Sequence, residues 1–228
     1  MVSPFASPSS EILAGVQQAN RRPLLLLVEG TNDAEFLVRL SGLLYREQAT
    51  PISLAELVES RRLIIVPFGG GISGDLWNRF APLGCSEFHL YDREVEPQTS
   101  QRQQLVQRVN SRPRCRGKLT SKRSLENYLH PTAIRAAGGG ELAVGDDDCV
   151  AQLLVRNKLQ KLNAAVGWQD LSSRTRQRLT YRAKKWLNTQ AASQMTPELL
   201  ANRDPAGEVL GWLATIAELL GSADGGNS

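Results

Sequence analysis

The chain has 228 residues, 41% of them hydrophobic, enough for one domain with an appendage or for two small domains. No apolar run nears the ~20 residues that span a bilayer, and the first ten residues lack the basic and apolar parts of a signal peptide. Cys85, Cys115 and Cys149 form no CxxC pair, which argues against a disulfide framework or zinc site and for a reducing cytoplasm. The net charge is only +4, but its distribution is uneven. No acid lies between Pro97 and Leu125 or between Leu171 and Pro197, and these stretches hold 14 of the 27 Lys and Arg residues. Such clustering suits a polyanionic partner or, more simply, a solvated basic face.

Residues 1–22 are an N-terminal segment, Pro/Ser-rich at first, with a short helix over 11–20. Residues 23–29 carry four leucines and a valine in a row, which predicts a strand buried on both faces, as in a parallel sheet. A helix follows over 33–45, with Phe36, Leu37, Leu40, Leu43 and Leu44 on one face. Residues 51–59 form another short helix and 62–68 a second buried strand. Gly69-Gly70-Gly71 then makes a turn, or lets backbone N–H groups approach a phosphate. A short helical piece carries Leu76, Trp77 and Phe80.

A third strand over 87–91 ends at Asp92. A polar helix over 99–110 and a short strand over 115–119 come next, and Ser124 caps a helix that begins Leu125-Glu126. Strand alternating with helix predicts an α/β fold over 23–137, a mostly parallel sheet flanked by helices. A glycine-rich linker leads to a helical C-terminal region, 146–220, with helices over 149–165, 174–189 and 206–220. A flexible tail, 221–228, ends the chain.

The acids at the strand ends carry the chemistry. Ligands of open α/β sheets bind in the crevice beyond the C-terminal ends of the strands, where Glu29 and Asp92 lie. On an extended chain, Asp92 and Glu94 point to one side. Crowded carboxylates repel one another, and a divalent cation with a taste for hard oxygen ligands, Mg²⁺ or Mn²⁺, relieves that repulsion. Glu29, Asp92 and Glu94 make one such site across two strands, and Asp33 and Glu126 are available for a second. Both of these also suit a helix's first turn, where acids are favoured by the dipole.

The run Val28-Glu29-Gly30-Thr31-Asn32-Asp33, followed later by Asp92-Arg93-Glu94, resembles the Toprim domain pattern of Val-Glu-Gly-x-x-Asp and Asp-x-Asp. Gly69-Gly70-Gly71 and Leu125-Glu126-Asn127-Tyr128-Leu129 are similar to segments of the OLD (overcoming lysogenization defect) nucleases, which serve in phage defence. The resemblance covers roughly residues 23–130. It implies a Toprim-like fold in which Glu29, Asp92 and Glu94 bind a first metal while Asp33 and Glu126 serve a second. It also implies a catalytic lysine in the helical region, with Lys184 and Lys185 as candidates and Lys158 behind them. Two departures stand out. Glu94 replaces the usual Asp, and no Gly-x-x-x-x-Gly-Lys-Ser/Thr is present, so a partner ATPase is a separate chain.

These readings point to an Mg²⁺- or Mn²⁺-dependent endonuclease acting on DNA, or on RNA, with one or two ions. Arg112, Arg114, Arg116, Lys118, Lys122, Arg123, Arg174, Arg178 and Arg182 are the expected phosphate contacts. The rival reading is a non-catalytic Toprim-fold module that binds a nucleic acid or an ATPase and regulates it.

Overall fold

A computed structural model of the chain describes residues 22–69, 76–162 and 167–224. Strand β1 (Leu24–Val28) leads into helix α1 (Thr31–Arg46), then α2 (Leu54–Glu59) and β2 (Leu63–Pro67). After two 3-10 turns come β3 (Glu87–Tyr91), α3 (Gln98–Asn110) and β4 (Cys115–Leu119). The remainder is helical: a 3-10 turn at Leu125–Tyr128, then α4 (Pro131–Ala136), α5 (Val150–Lys161), α6 (Ser173–Trp186), α7 (Pro197–Arg203) and α8 (Glu208–Asp224). The expected helix over 11–20, with Gly70 and Gly71, lies outside the described residues. Among the described residues no helix is long and apolar enough to cross a membrane.

The four strands form one parallel sheet in the order β2-β1-β3-β4, flanked by helices, which is the expected α/β class. The central strands β1 and β3 are buried at every position, as a continuous apolar run requires of a sheet covered on both faces. β2 corrects the expectation of a second buried strand. It is an edge, and Ile64 is 47% exposed. β4, the other edge, alternates, with Arg116 and Lys118 outward and Cys115 and Gly117 inward. Exposed Lys and Arg on an edge strand also discourage pairing with another chain.

α1 forms because Phe36, Leu37, Leu40 and Leu44 recur on one face, all of them buried. Its start is tied by the Gly30 N–H, which donates to Asp33 Oδ2 at 2.8 Å. That face joins a single apolar cluster reaching Leu154, Leu187, Trp212 and Ile216 in the C-terminal helices. The sheet and the helical region therefore share one core. Each such side chain contributes roughly 1.5–3 kcal/mol by leaving water.

β3 also buries polar groups. Glu87, His89 and Tyr91 alternate onto one face of the strand. His89 Nε2 lies 2.7 Å from Glu87 Oε2, and His89 Nδ1 lies 2.9 Å from Tyr91 Oη. Arg112 donates to both Glu87 oxygens, at 2.9 and 2.6 Å. Burial pushes the Glu87 carboxyl up, but hydrogen bonds from His89 and Arg112 outweigh it and hold it below the ordinary range. A satisfied network of this kind is tolerated in a core, whereas half of one is not.

Candidate metal centre

The sheet order fixes where a site can form. From β1 the chain runs out to β2 on one side, then returns to β3 on the other, so its direction reverses between β1 and β3. A crevice opens at the carboxyl ends of strands at such a switch point. Glu29 follows β1 and Asp92 follows β3, and the Asp92 N–H donates to Glu29 Oε1 at 3.2 Å. One oxygen from each of Glu29, Asp92 and Glu94 lies within 4.8 Å of the others, so this acidic triad can bind a metal ion.

Glu94 joins Asp92 by a turn and not by strand alternation, because β3 has already ended at Tyr91. Glu94 has φ of 55°, the left-handed region that side chains other than glycine rarely adopt. The turn is braced from the loop after β4. The Arg93 N–H donates to Thr120 Oγ1 at 2.8 Å, and the Glu94 N–H donates to the Arg123 carbonyl at 2.8 Å. The Leu125 N–H donates to Asp92 Oδ1 at 3.1 Å. Asp92 is almost fully buried, yet its other oxygen, Oδ2, has no hydrogen-bond donor among the described residues. The cation nearest that oxygen among the described residues is the Lys184 ammonium, 3.7 Å away.

Lys184, on α6, enters the same cluster. Its ammonium lies 3.0 Å from Asp33, 3.6 Å from Glu126 and 3.7 Å from Asp92. Burial opposes its charge, but Glu126, Asp92 and Asp33 together outweigh burial and hold the ammonium protonated well above the ordinary range. Asp33 and Glu126, expected to serve a second metal, thus face a lysine. Arg102 pairs with Glu29 at 2.7 Å and Arg123 with Glu94 at 3.3 Å. Five carboxylates against three cationic side chains leave a formal charge of −2, which a single divalent ion cancels.

The acids carry the strain of this crowding. Burial, reinforced by Asp33 and opposed by Arg102, lifts Glu29 to about 7. Burial also raises Asp33, and it raises Asp92 most, with Lys184 opposing in both cases. An open cleft of about 460 Å³, lined by Glu29, Asp33, Pro67, Gly69 and Lys184, gives access from solvent. Gly69 has φ of 87°, and its N–H donates to the Glu29 carbonyl at 2.9 Å, so this glycine turns the chain at the cleft's edge.

The other expected site residues divide. Lys185 is exposed and outside the cluster, and Lys158 sits 4.8 Å over the Trp186 ring. Arg112 is committed to Glu87, and Lys122 is buried against Asp146 at 2.7 Å, so both have structural partners in place of phosphates. Arg114, Arg116, Lys118, Arg174, Arg178 and Arg182 are exposed.

Two contributors escaped the sequence reading. Arg102 shares a buried stripe with Leu105 and Val109, and an arginine on an apolar stripe is the signal that marks it. Asn188, fully buried in a π turn after α6, donates to Glu126 Oε1 at 2.7 Å. Ser124 Oγ holds the other Glu126 oxygen at 2.8 Å. Comparisons of the chain with protein-family models, curated proteins and solved structures find no match.

Proposed function

We propose that this chain is a metal-dependent nuclease of Toprim type, hydrolysing phosphodiester bonds in DNA, with RNA as a further substrate. The observation that carries this reading is the meeting of Glu29, Asp92 and Glu94 with Lys184 at the switch point, with Asp92 Oδ2 buried, accepting no hydrogen bond and 3.7 Å from the Lys184 ammonium. Mg²⁺ or Mn²⁺ held by the three carboxylates supplies a bound water of lowered pKa and positive charge beside a phosphate. Arg102 and the Asp92 N–H orient Glu29, and the Leu125 N–H fixes Asp92 Oδ1, so Oδ2, which the Lys184 ammonium faces at 3.7 Å, is the oxygen that would share its charge with the ion. The Lys184 ammonium borders the cleft and meets charge developing on a phosphoryl oxygen. Exposed Arg114, Arg116, Lys118, Arg174, Arg178 and Arg182 supply contacts to backbone phosphates, which position a substrate without reading its sequence. A separately encoded ATPase is the proposed partner.

The test is incubation with supercoiled, linear and single-stranded DNA and with RNA, in Mg²⁺ or Mn²⁺, beside Glu29→Ala and Asp92→Ala. Cleavage that needs the metal and disappears in both variants supports the reading. Wild-type rates in either variant refute the site.

One observation favours a non-catalytic binding module as the second reading. Glu94, where the motif has Asp, is paired with Arg123, and Lys184 already fills part of the acidic cluster. Calorimetry that finds no Mg²⁺ or Mn²⁺ uptake, with nucleic-acid or ATPase binding intact, selects it.

A further inference from the structure

The helical half of the chain holds a second cleft, of about 580 Å³, between α5 and α6. Its polar side chains are arginines, amides and hydroxyls, with no carboxylate among them. The Arg156 guanidinium lies 5.5 Å over the Trp168 ring, and Arg176, Gln177, Thr180 and Tyr181 form the α6 wall. Tyr181 is 59% exposed. Among the described residues neither Arg156 nor Arg176 has an acidic partner, and no acid occurs between residues 171 and 197. The acid nearest Arg176 in sequence, Asp170, accepts from the Gly167 N–H at 2.9 Å.

Arginines without counter-charges call for an anion. The aromatic rings call for flat partners, and the amides offer both donors and acceptors. An acidic peptide satisfies the first of these only. A duplex satisfies the first as well, but it hides its base faces. A single strand of nucleic acid satisfies all three, with bases stacked on aromatic rings and guanidinium planes and phosphates on arginines.

Helix geometry then connects this cleft to the metal centre. Gln177, Thr180 and Lys184 are spaced three and four residues apart and so share one stripe of α6. Lys184 lies about 6 Å beyond Thr180 and about 16 Å beyond Ser173 at 1.5 Å per residue. A stacked strand covers that distance in about two to five nucleotides.

We propose that the α5–α6 cleft binds an unpaired stretch of nucleic acid, stacked on Tyr181 and on the Arg156 guanidinium that Trp168 backs, and that α6 leads the strand to Lys184. The second half rests on the nuclease reading, whereas the first stands without it. The test is fluorescence anisotropy in EDTA with a labelled oligothymidine of about 12 nucleotides, within the site sizes of known single-strand binders. A duplex of equal length is the control.

The expected result is single-strand binding at least tenfold tighter than duplex binding. Trp168→Ala and Tyr181→Ala should each weaken it about tenfold, in line with the loss of one stacked base. Trp168→Phe should keep most of the affinity. Tyr181 is largely exposed, so its replacement reports on binding even if Trp168→Ala fails to fold. Equal affinity for duplex, affinity unmoved by Tyr181→Ala, or Trp168→Phe as weak as Trp168→Ala at an unchanged melting temperature each overturn the proposal. Metal-dependent cleavage of duplex without single-strand binding refutes the cleft alone. Oligonucleotide binding that needs Tyr181, with no cleavage of any substrate, refutes the nuclease reading and keeps the cleft.

Discussion

Replacing Lys184 by Met removes the one cation that faces Asp33, Asp92 and Glu126 among the described residues while keeping most of the side chain's bulk. Removing one partner of a buried ion pair costs about 3–5 kcal/mol, because the charge left behind has no compensation. The lysine is 29% exposed, so water relieves part of the loss and about 3 kcal/mol is the fair magnitude. For a chain of this size that is a fall in Tm of roughly 6–12 °C.

The loss has a definite pH dependence. Asp33 and Asp92 have folded pKa values raised by burial. Above the ordinary carboxylate range the folded chain therefore holds more protons than the unfolded one, and raising pH costs stability. The lysine's own folded pKa is raised, so it is charged in both the folded and the unfolded chain across pH 5 to 8, and the pH dependence there comes from the acids it faces. The deficit of the variant should therefore be small near pH 5, where the acids can take up protons, and should grow towards pH 8. Thermal unfolding by circular dichroism in EDTA at the two pH values measures this. A fall below about 2 °C at pH 8, or one equal at both pH values, refutes the assignment of Lys184 as counter-charge to the cluster.

Three further outcomes are expected. Asp92→Asn, which keeps the oxygen that accepts from Leu125, should lower metal-dependent cleavage by at least about 100-fold, and calorimetry should show Mn²⁺ uptake falling with it. Because Glu29 is lifted to about 7, a cation competes with its proton below that pH. Mn²⁺ should then bind about tenfold more tightly at pH 8 than at pH 6, and a titration flat with pH counts against Glu29 as a ligand. Arg112→Met should cost about 3 kcal/mol of stability by stranding the buried Glu87, without changing the salt dependence of nucleic-acid binding. Arg178→Gln with Arg182→Gln should do the reverse, with Tm unchanged and a salt slope shallower by about 0.7 for each lost contact to a single strand.

What the sequence could disclose follows from the range of the forces involved. β1 and β4 were legible because their signals are local, an unbroken apolar run in one and a short bounded strand in the other. Glu29 and Asp92 were legible because strand ends have one chemistry in any parallel sheet. The edge position of β2 was not, since Leu63-Ile64-Ile65-Val66 looks the same whether one face or two are covered, and only sheet order decides. The choice of Lys184 over Lys185 depends on which face of α6 turns inward, a matter of packing against α1 and the core. α4 and α7 escaped the sequence reading; at six and seven residues each makes no more than two turns, so a helical period barely shows. The Glu94 turn was hidden because a left-handed residue is imposed by hydrogen bonds from residues 120–125, far along the chain.

The shared core and the reach of Lys184 bear on how the molecule comes into being. Synthesis delivers the N-terminal end first, at about 5–20 residues per second, so Glu29, Asp92 and Glu126 emerge seconds before residue 184. In that interval the acidic residues have no lysine among them, and the apolar faces of β1 and α1 lack Leu187, Trp212 and Ile216. A half-made chain is therefore penalised twice for closing its crevice, once in charge and once in uncovered hydrocarbon. The acidic cluster gains its lysine only once residue 184 has emerged, and an unfinished or clipped product carries the acidic motifs without that counter-charge.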